Sequence, residues 1–406
     1  MKILQIAPVP REFGGVDTGG IATHAWGLAT SLSALGHEVA VLAHNRDHGE
    51  PWPETYDGVK VYGGRSFGGS VRARRLMHPS TIKAVLEARR TLGPSWKLRW
   101  VASAVAACCE TIEAFRPDII HVHAVEGRFT VAHAANLYGV PIVATAHSTH
   151  YVEFVEEGVK DDNRALVERN LRDATDVIFV SKWVAERHEQ VFPGALDHAH
   201  TVILPNPIDA SVYAPVPRAA ARERLGMAEG DIFLLTLGNL IPRKDPLTFI
   251  RAVGILRSQG LPVRVIMVGS GPLKEEMEAL IAELDLGDVI RLEGHAPQEE
   301  INDYYSAADV YVFPSLMETW GLAAVEAMLC GCPVVGTFDV MPEVVPEYAG
   351  VFVPSHEAVD LAAGLTEAIE RDWDRDAIRS FALAYDWKKQ VGGFETLYRD
   401  ILARHQ

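Results

Sequence analysis

Short β-branched runs alternate with longer amphipathic stretches along the whole chain, and this alternation constrains the fold more than any other feature. Ile3–Ala7, Glu38–Ala43, Ile119–His123, Ile142–Ala146 and Val177–Val180 read as strands, with helices at Ile21–Leu35, Arg128–Tyr138, Asn163–Asp173 and Lys182–Gln190. Near-continuous apolar strands separated by helices imply a parallel sheet covered on both faces. The pattern pauses at Leu204-Pro205-Asn206-Pro207-Ile208-Asp209 and the proline-rich Pro215-Val216-Pro217, then restarts. Strands follow at Ile232–Leu237, Val263–Val268, Val289–Leu292, Val310–Phe313 and Val334–Gly336, with helices at Pro246–Ser258, Leu273–Leu284, Gln298–Ala307 and Leu322–Leu329. The expected fold class is therefore α/β, two doubly wound Rossmann-like parallel-sheet domains facing a central cleft. The boundaries are placed at 1–208 and 209–385, with a closing helix in 386–406 that packs back on the first domain. Open α/β sheets bind ligands outside the carboxyl ends of their strands, so chemistry is sought in the loops that follow strands.

Composition narrows the function classes. With 406 residues, 48% of them apolar, the chain exceeds one compact domain and can build large cores. Its 38 basic and 54 acidic side chains give a formal charge of −16, which argues against wrapping nucleic acid. Cys108, Cys109, Cys330 and Cys332 fit neither a zinc knuckle nor a disulfide scaffold, so a reducing compartment is the simple reading. No apolar run reaches the ~18 residues of a membrane span. A cytoplasmic location is expected, with peripheral contact to a membrane left open.

Three loops could hold a phosphorylated ligand. Gly19 and Gly20 sit where a helix begins, before His24, so open backbone N–H groups and the positive end of the helix dipole can face an anion. Gly269-Ser270-Gly271 follows a strand but lacks the third glycine of a dinucleotide fingerprint; a tight turn lining a nucleotide pocket and a purely structural turn are both open. The third loop, Phe313 to Met328, carries Glu318 and Glu326. Were both helical they would stand ~12 Å apart, too far for the ~5–5.5 Å of a retaining hydrolase pair. Glu318 is therefore expected before the helix and Glu326 inside it, each addressing a different part of one long ligand, with Gly321 and Leu322 offering N–H groups to phosphate.

The stretch Ser315–Pro333, SLMETWGLAAVEAMLCGCP, resembles the E-x7-E signature of the family-four retaining nucleotide-sugar glycosyltransferases, which have the GT-B fold. Gly19-Gly20 with His24, Gly36-His37-Glu38-Val39, the histidines after Pro117-Asp118-Ile119-Ile120, Thr145-Ala146-His147 and Pro205-Asn206-Pro207-Ile208-Asp209 are similar to other family segments in the expected order. The resemblance implies that Glu326 accepts hydrogen bonds from the donor ribose. It further implies that Glu318 holds hydroxyls of the transferred sugar, and that the backbone of Thr319, Trp320, Gly321 and Leu322 lies beside sugar and diphosphate. Lys244 and Arg243 would neutralise the diphosphate, and His147 would lie near the sugar. Asn239 stands where the family usually has arginine, which removes one diphosphate cation. The implied activity is retaining, metal-independent transfer of a hexose (glucose, GlcNAc or mannose type) from a nucleotide-diphosphate sugar. A UDP-sugar is the first choice of donor and a GDP-sugar the second. The acceptor would be a small-molecule, glycan or lipid-linked hydroxyl, with no cofactor beyond the donor co-substrate.

His121 and His123 share a strand face, and with His147 and His150 they could suggest a metal set. No carboxylate or cysteine spacing supports one, so a polar floor for the sugar is preferred for His147 and no metal is expected. Residues 65–100 hold nine basic side chains against Glu87 alone. Arg72, Arg74 and Arg75 are thus candidates, with His24, for an acceptor-side patch that meets a phosphorylated acceptor or an anionic bilayer; a solvated helix pair is the alternative. A sugar-nucleotide epimerase of the same architecture and a non-catalytic sugar-nucleotide scaffold are the competing functions. The first would need acid/base carboxylates around the sugar C2, and the Glu318/Glu326 motif does not match that family; Asn239 makes the second thinkable.

Overall fold

The computed structural model describes residues 1–13, 15, 19–43, 54–63, 79, 81–83, 85–86, 98–125, 129, 131–132, 138–147, 161–228 and 230–405. The chain divides into two compact units, Met1–Pro207 with Trp387–Gln406, and Ile208–Asp386. The basic patch at Arg72, Arg74 and Arg75 and the histidine His150 lie outside the described residues, as does most of the helix expected at 128–138.

In the N-terminal unit, the described strands are β1 (Lys2–Ala7), β2 (Glu38–Ala43), β3 (Glu54–Tyr56), β4 (Val59–Gly63), β5 (Ile119–Val122), β6 (Ile142–Ala146), β7 (Asp176–Phe179) and β8 (His200–Ile203). They form one sheet in the order β3-β4-β2-β1-β5-β6-β7-β8, parallel apart from the β3–β4 hairpin. Sequence periodicity missed β3, β4 and β8. β8 is an edge strand with a largely exposed pattern, and β3 has only three residues. The strand order reverses at β1, between β2 and β5, so the loops after β1 and β5 open at the topological switch point.

Helix α1 (Gly20–Ala34) ends where Gly36, at φ +87°, lets His37 N–H reach back to Leu32 O. The imidazole of His37 then meets Glu395 Oε1 at 3.1 Å, on the C-terminal helix αC (Trp387–Arg404). αC buries Trp387, Val391, Phe394, Leu397, Tyr398 and Ile401, and all six join the core made by α1 and the sheet. Its far end is tied by Arg404 to the buried carboxylate of Asp176 at the start of β7. Gly27 makes this docking fit, because a Cβ there would lie 2.3 Å from Trp387 Nε1. A mid-helix glycine costs ~0.5–1 kcal/mol relative to alanine; here the space it leaves seats the indole.

The C-terminal unit has β9 (Ile232–Leu237), β10 (Val263–Val268), β11 (Ile290–Gly294), β12 (Val310–Phe313), β13 (Val334–Gly336) and β14 (Gly350–Phe352), all parallel in the order β11-β10-β9-β12-β13-β14. Its order reverses between β9 and β12. The sheet carries near-continuous buried apolar side chains, as strands covered on both faces require. Asp374, in the charged stretch with Asp372, caps the helix Arg375–Ala382 by accepting from Ala377 N–H at 2.9 Å.

Gly27→Val should destabilise the N-terminal unit by about 1–3 kcal/mol, the usual cost of overpacking. Denaturant unfolding followed by tryptophan fluorescence would read it, and an unchanged midpoint would show that αC does not depend on the seat at Gly27.

Candidate active site

Two loops leave the carboxyl ends of β9 and β12 at the switch point of the C-terminal unit. The first, Gly238 to Asp245, lies against the glycine loop after β10. Gly238 N–H donates to Val268 O at 2.9 Å and Leu240 N–H to Ser270 O at 2.9 Å. A Cβ on Gly269 would sit 1.8 Å from Gly238 O, and one on Gly271 2.3 Å from Leu240 O. The two glycines are therefore demanded by main-chain contact between the loops. Gly269 stays half-buried and Ser270 exposed. A small pocket opens beside this seam, lined by Gly238, Asn239, Leu240, Lys244, Phe313 and Pro314 among others. Asn239 is exposed at its edge.

Asp245 ends the first loop at φ +42°, a left-handed conformation that aspartate tolerates, and its carboxylate accepts from Thr248 N–H at 3.3 Å to start the helix Pro246–Ser258. That turn presents Arg243 and Lys244 to the second loop. Lys244 Nζ donates to Glu318 Oε1 at 2.5 Å and lies 4.7 Å from the centre of the Phe313 ring. Arg243 Nη1 lies 3.7 Å from the same oxygen and donates to Met317 O at 3.0 Å. Glu318, 8% exposed, is thus a buried carboxylate with two cationic neighbours.

Beyond Glu318 the chain turns through Gly321 at φ +86°, the N-cap of the helix Leu322–Leu329. A side chain there would press on the rings of Phe338 and Phe313 at 3.1–3.2 Å. Thr319 is half-buried, and Trp320 is 4% exposed, with its indole edge-on to Tyr385. Glu326 lies further along that helix. Tyr305 OH donates to its Oε2 at 2.9 Å, and Tyr213 supplies a second phenol. Burial raises the Glu326 pKa above the usual carboxylate value, opposed by the two tyrosines and by the charge of Lys244. Burial and the Glu326 carboxylate push both phenols upward, so they remain donors.

Two family models match the chain: "Glycosyltransferase Family 4" over residues 18–212 and "Glycosyl transferases group 1" over residues 217–383. A D-inositol 3-phosphate glycosyltransferase of Thermobispora bispora is 33% identical over 315 residues, spanning 72% of each chain. The chain belongs to glycosyltransferase family four. Sucrose-phosphate synthase from Thermosynechococcus elongatus superposes with a TM-score of 0.73 at 22% identity, covering 99% of both chains. Anabaena HepE, solved in complex with UDP and glucose, gives 0.69 at 20% identity, covering 98% of this chain and 99% of its own. These likenesses place the family-four chain in the GT-B fold.

In the N-terminal unit of this glycosyltransferase, Gly19 and Gly20 are exposed at the start of α1, with extended backbone at Gly19 and no side-chain cap. His147 follows β6, is 8% exposed, and its Nε2 lies 3.0 Å from His123 Nδ1. His123 Nε2 faces the Gln5 carboxamide at 3.0 Å. His24 is not a surface group: it is 3% exposed, packed against His147, Trp387 and His123. His121 is held by Tyr398 and Thr145, both at 2.6 Å, as a core histidine. Sequence reading missed the Lys244–Glu318 pair and both tyrosines on Glu326. Tyr213 stands in the proline-rich linker region and Tyr305 on another helix, where nothing local points toward Glu326.

Because burial raises its pKa, native Glu326 binds a proton that the unfolded chain releases, in the window between the ordinary carboxylate value and its own. Stability therefore falls as pH rises through that window, and the cost persists at neutral pH. Glu326→Gln keeps the acceptor for Tyr305 and removes the charge. Its unfolding temperature should exceed the parent's at pH 7 and match it in acid, where the native and unfolded carboxyls are both protonated; equal temperatures at both pH values would refute the assignment.

Proposed function

We propose that this glycosyltransferase moves a hexose, with retention, from a nucleotide-diphosphate sugar to a hydroxyl acceptor. The observation that carries the reading is the grouping in the C-terminal unit of two cations, an uncapped helix N-terminus at Gly321 and an acceptor carboxylate at Glu326. Glu326 would take the ribose hydroxyls, exchanging donors with Tyr305 and Tyr213. Lys244 and Arg243, with the N–H groups of Gly321 and Leu322, would stabilise the diphosphate as it gains charge. Glu318 would hold sugar hydroxyls while keeping Lys244 in place. The acceptor oxygen bonds to the anomeric carbon as the bond to diphosphate breaks on the same face, and the hydroxyl proton passes to the departing diphosphate. No protein nucleophile and no metal at the diphosphate are needed in this scheme. His147 is proposed as a sugar contact.

A UDP-sugar is our preferred donor, consistent with the UDP and glucose in Anabaena HepE. The name of the Thermobispora relative favours a phosphorylated polyol as acceptor, and a glycan or lipid-linked hydroxyl is the wider class. Among the described residues no helix is long and apolar enough to cross a membrane; we place the reaction in the cytoplasm, with peripheral contact to anionic membrane through Arg72, Arg74 and Arg75 as a proposal resting on charge.

A thermal-shift panel of UDP-, GDP-, ADP- and TDP-sugars should single out one base, since a ligand of the folded state raises its melting temperature. Glu326→Gln should weaken that donor about ten- to a hundredfold, the equivalent of ~1.5–3 kcal/mol for hydrogen bonds to a charged group. Undiminished binding would remove the ribose assignment. Lys244→Met should lower kcat by about 10²–10³-fold, with a smaller change in KM; a loss confined to KM would mean that Lys244 does not serve the departing diphosphate.

A further inference from the structure

Three histidines meet at the switch point of the N-terminal unit. His24 comes from α1, His123 from the residue after β5 and His147 from the residue after β6. One ring nitrogen from each lies within 4.8 Å of the others, and all three residues are buried. His24 is the anomaly. Both its ring nitrogens are shielded from water and neither has a hydrogen-bond partner. An orphaned buried polar group costs ~1–3 kcal/mol, and an ion is one of the few things that would satisfy it. His121, close by, gives the contrast, because both of its nitrogens are already bonded.

We propose that His24, His123 and His147 form a transition-metal site of the three-imidazole zinc class, with a fourth position open to water or another oxygen ligand. Three neutral nitrogen donors without a carboxylate suit Zn²⁺ and its borderline neighbours, and they exclude the oxygen-seeking Mg²⁺ and Ca²⁺. Zn–N bonds of ~2.0–2.1 Å in a tetrahedron set nitrogen–nitrogen edges of about 3.3 Å. The His123–His147 pair is already at 3.0 Å, so closure asks mainly for a small rotation of His24.

The Gln5 amide is the outer partner. With its oxygen toward His123 Nε2, it accepts from that nitrogen and leaves Nδ1 as the ligand atom. With the amide turned over, its nitrogen would donate both to Ala25 O and to His123 Nε2. The surroundings of the amide favour the second orientation, which also lets its oxygen accept from Ala29 N–H at 3.3 Å. The two orientations correspond to two tautomers of His123, and coordination through Nδ1 requires the first.

The test is a metal titration of the full-length protein after dialysis against chelator. Co²⁺ should produce the strong visible absorption of a tetrahedral ion, saturating at about one equivalent for a single site, and Zn²⁺ should displace it. His24→Phe, checked for folding by circular dichroism, should lower Co²⁺ affinity at least tenfold, whereas His405→Gln at the exposed C-terminal end should not. Absence of the visible band in the parent protein would overturn the proposal without recourse to any variant. So would a folded His24→Phe protein that binds Co²⁺ as the parent does.

Discussion

Glu318 is a carboxylate almost wholly removed from water, and burying such a group without partners to replace its hydration is costly. Lys244 and Arg243 supply them from one loop, and Leu316 N–H adds a main-chain bond to Arg243 O at 2.9 Å. The loops after β9 and β12 are thereby fastened together where the sheet reverses its order. The left-handed turn at Gly321, the start of its helix and Glu326 upon it follow Glu318 directly along the chain. Removing one partner of such a group costs more than the pair contributes, because the other is left buried and uncompensated.

Glu326 shows the opposite compromise. Its carboxyl is held by phenols, weaker partners than cations, and its pKa is raised because burial outweighs them. Phenol donors can be exchanged for sugar hydroxyls with little change in hydrogen-bond character. A carboxylate locked into an ion pair would resist such an exchange. The same loop-and-helix segment therefore contains one acidic group held by cations and one held by neutral donors.

Both units concentrate buried polar groups where their strand order reverses, but the chemistry differs. The C-terminal unit pairs opposite charges; the N-terminal unit gathers imidazoles, with His24 and His121 both depressed in pKa by burial and by neighbouring histidine charge. Parallel topology explains the shared position, since at a reversal the chain leaves adjacent strands toward opposite faces of the sheet and a crevice opens at their carboxyl ends. Side-chain identity explains the difference in what each can hold.

The alternation of apolar runs and amphipathic stretches made both sheets legible, because strand and helix periods are local properties. The spacing of Glu318 and Glu326 likewise told that one precedes a helix and the other rides on it. Short or exposed pieces such as β3 and β8 escaped, since three residues or an exposed edge carry little periodic signal. Gly27 was opaque too: its reason is Trp387, which approaches from the far end of the chain. The same holds for Tyr213 and Tyr305 on Glu326, Lys244 on Glu318, and His24 beside His123 and His147. The sequence by itself determined which segments are strands and helices and which loops leave strand ends. Tertiary structure alone decided which side chains share a site, because that choice follows from crossovers between distant segments and from the need of each buried polar group for a partner.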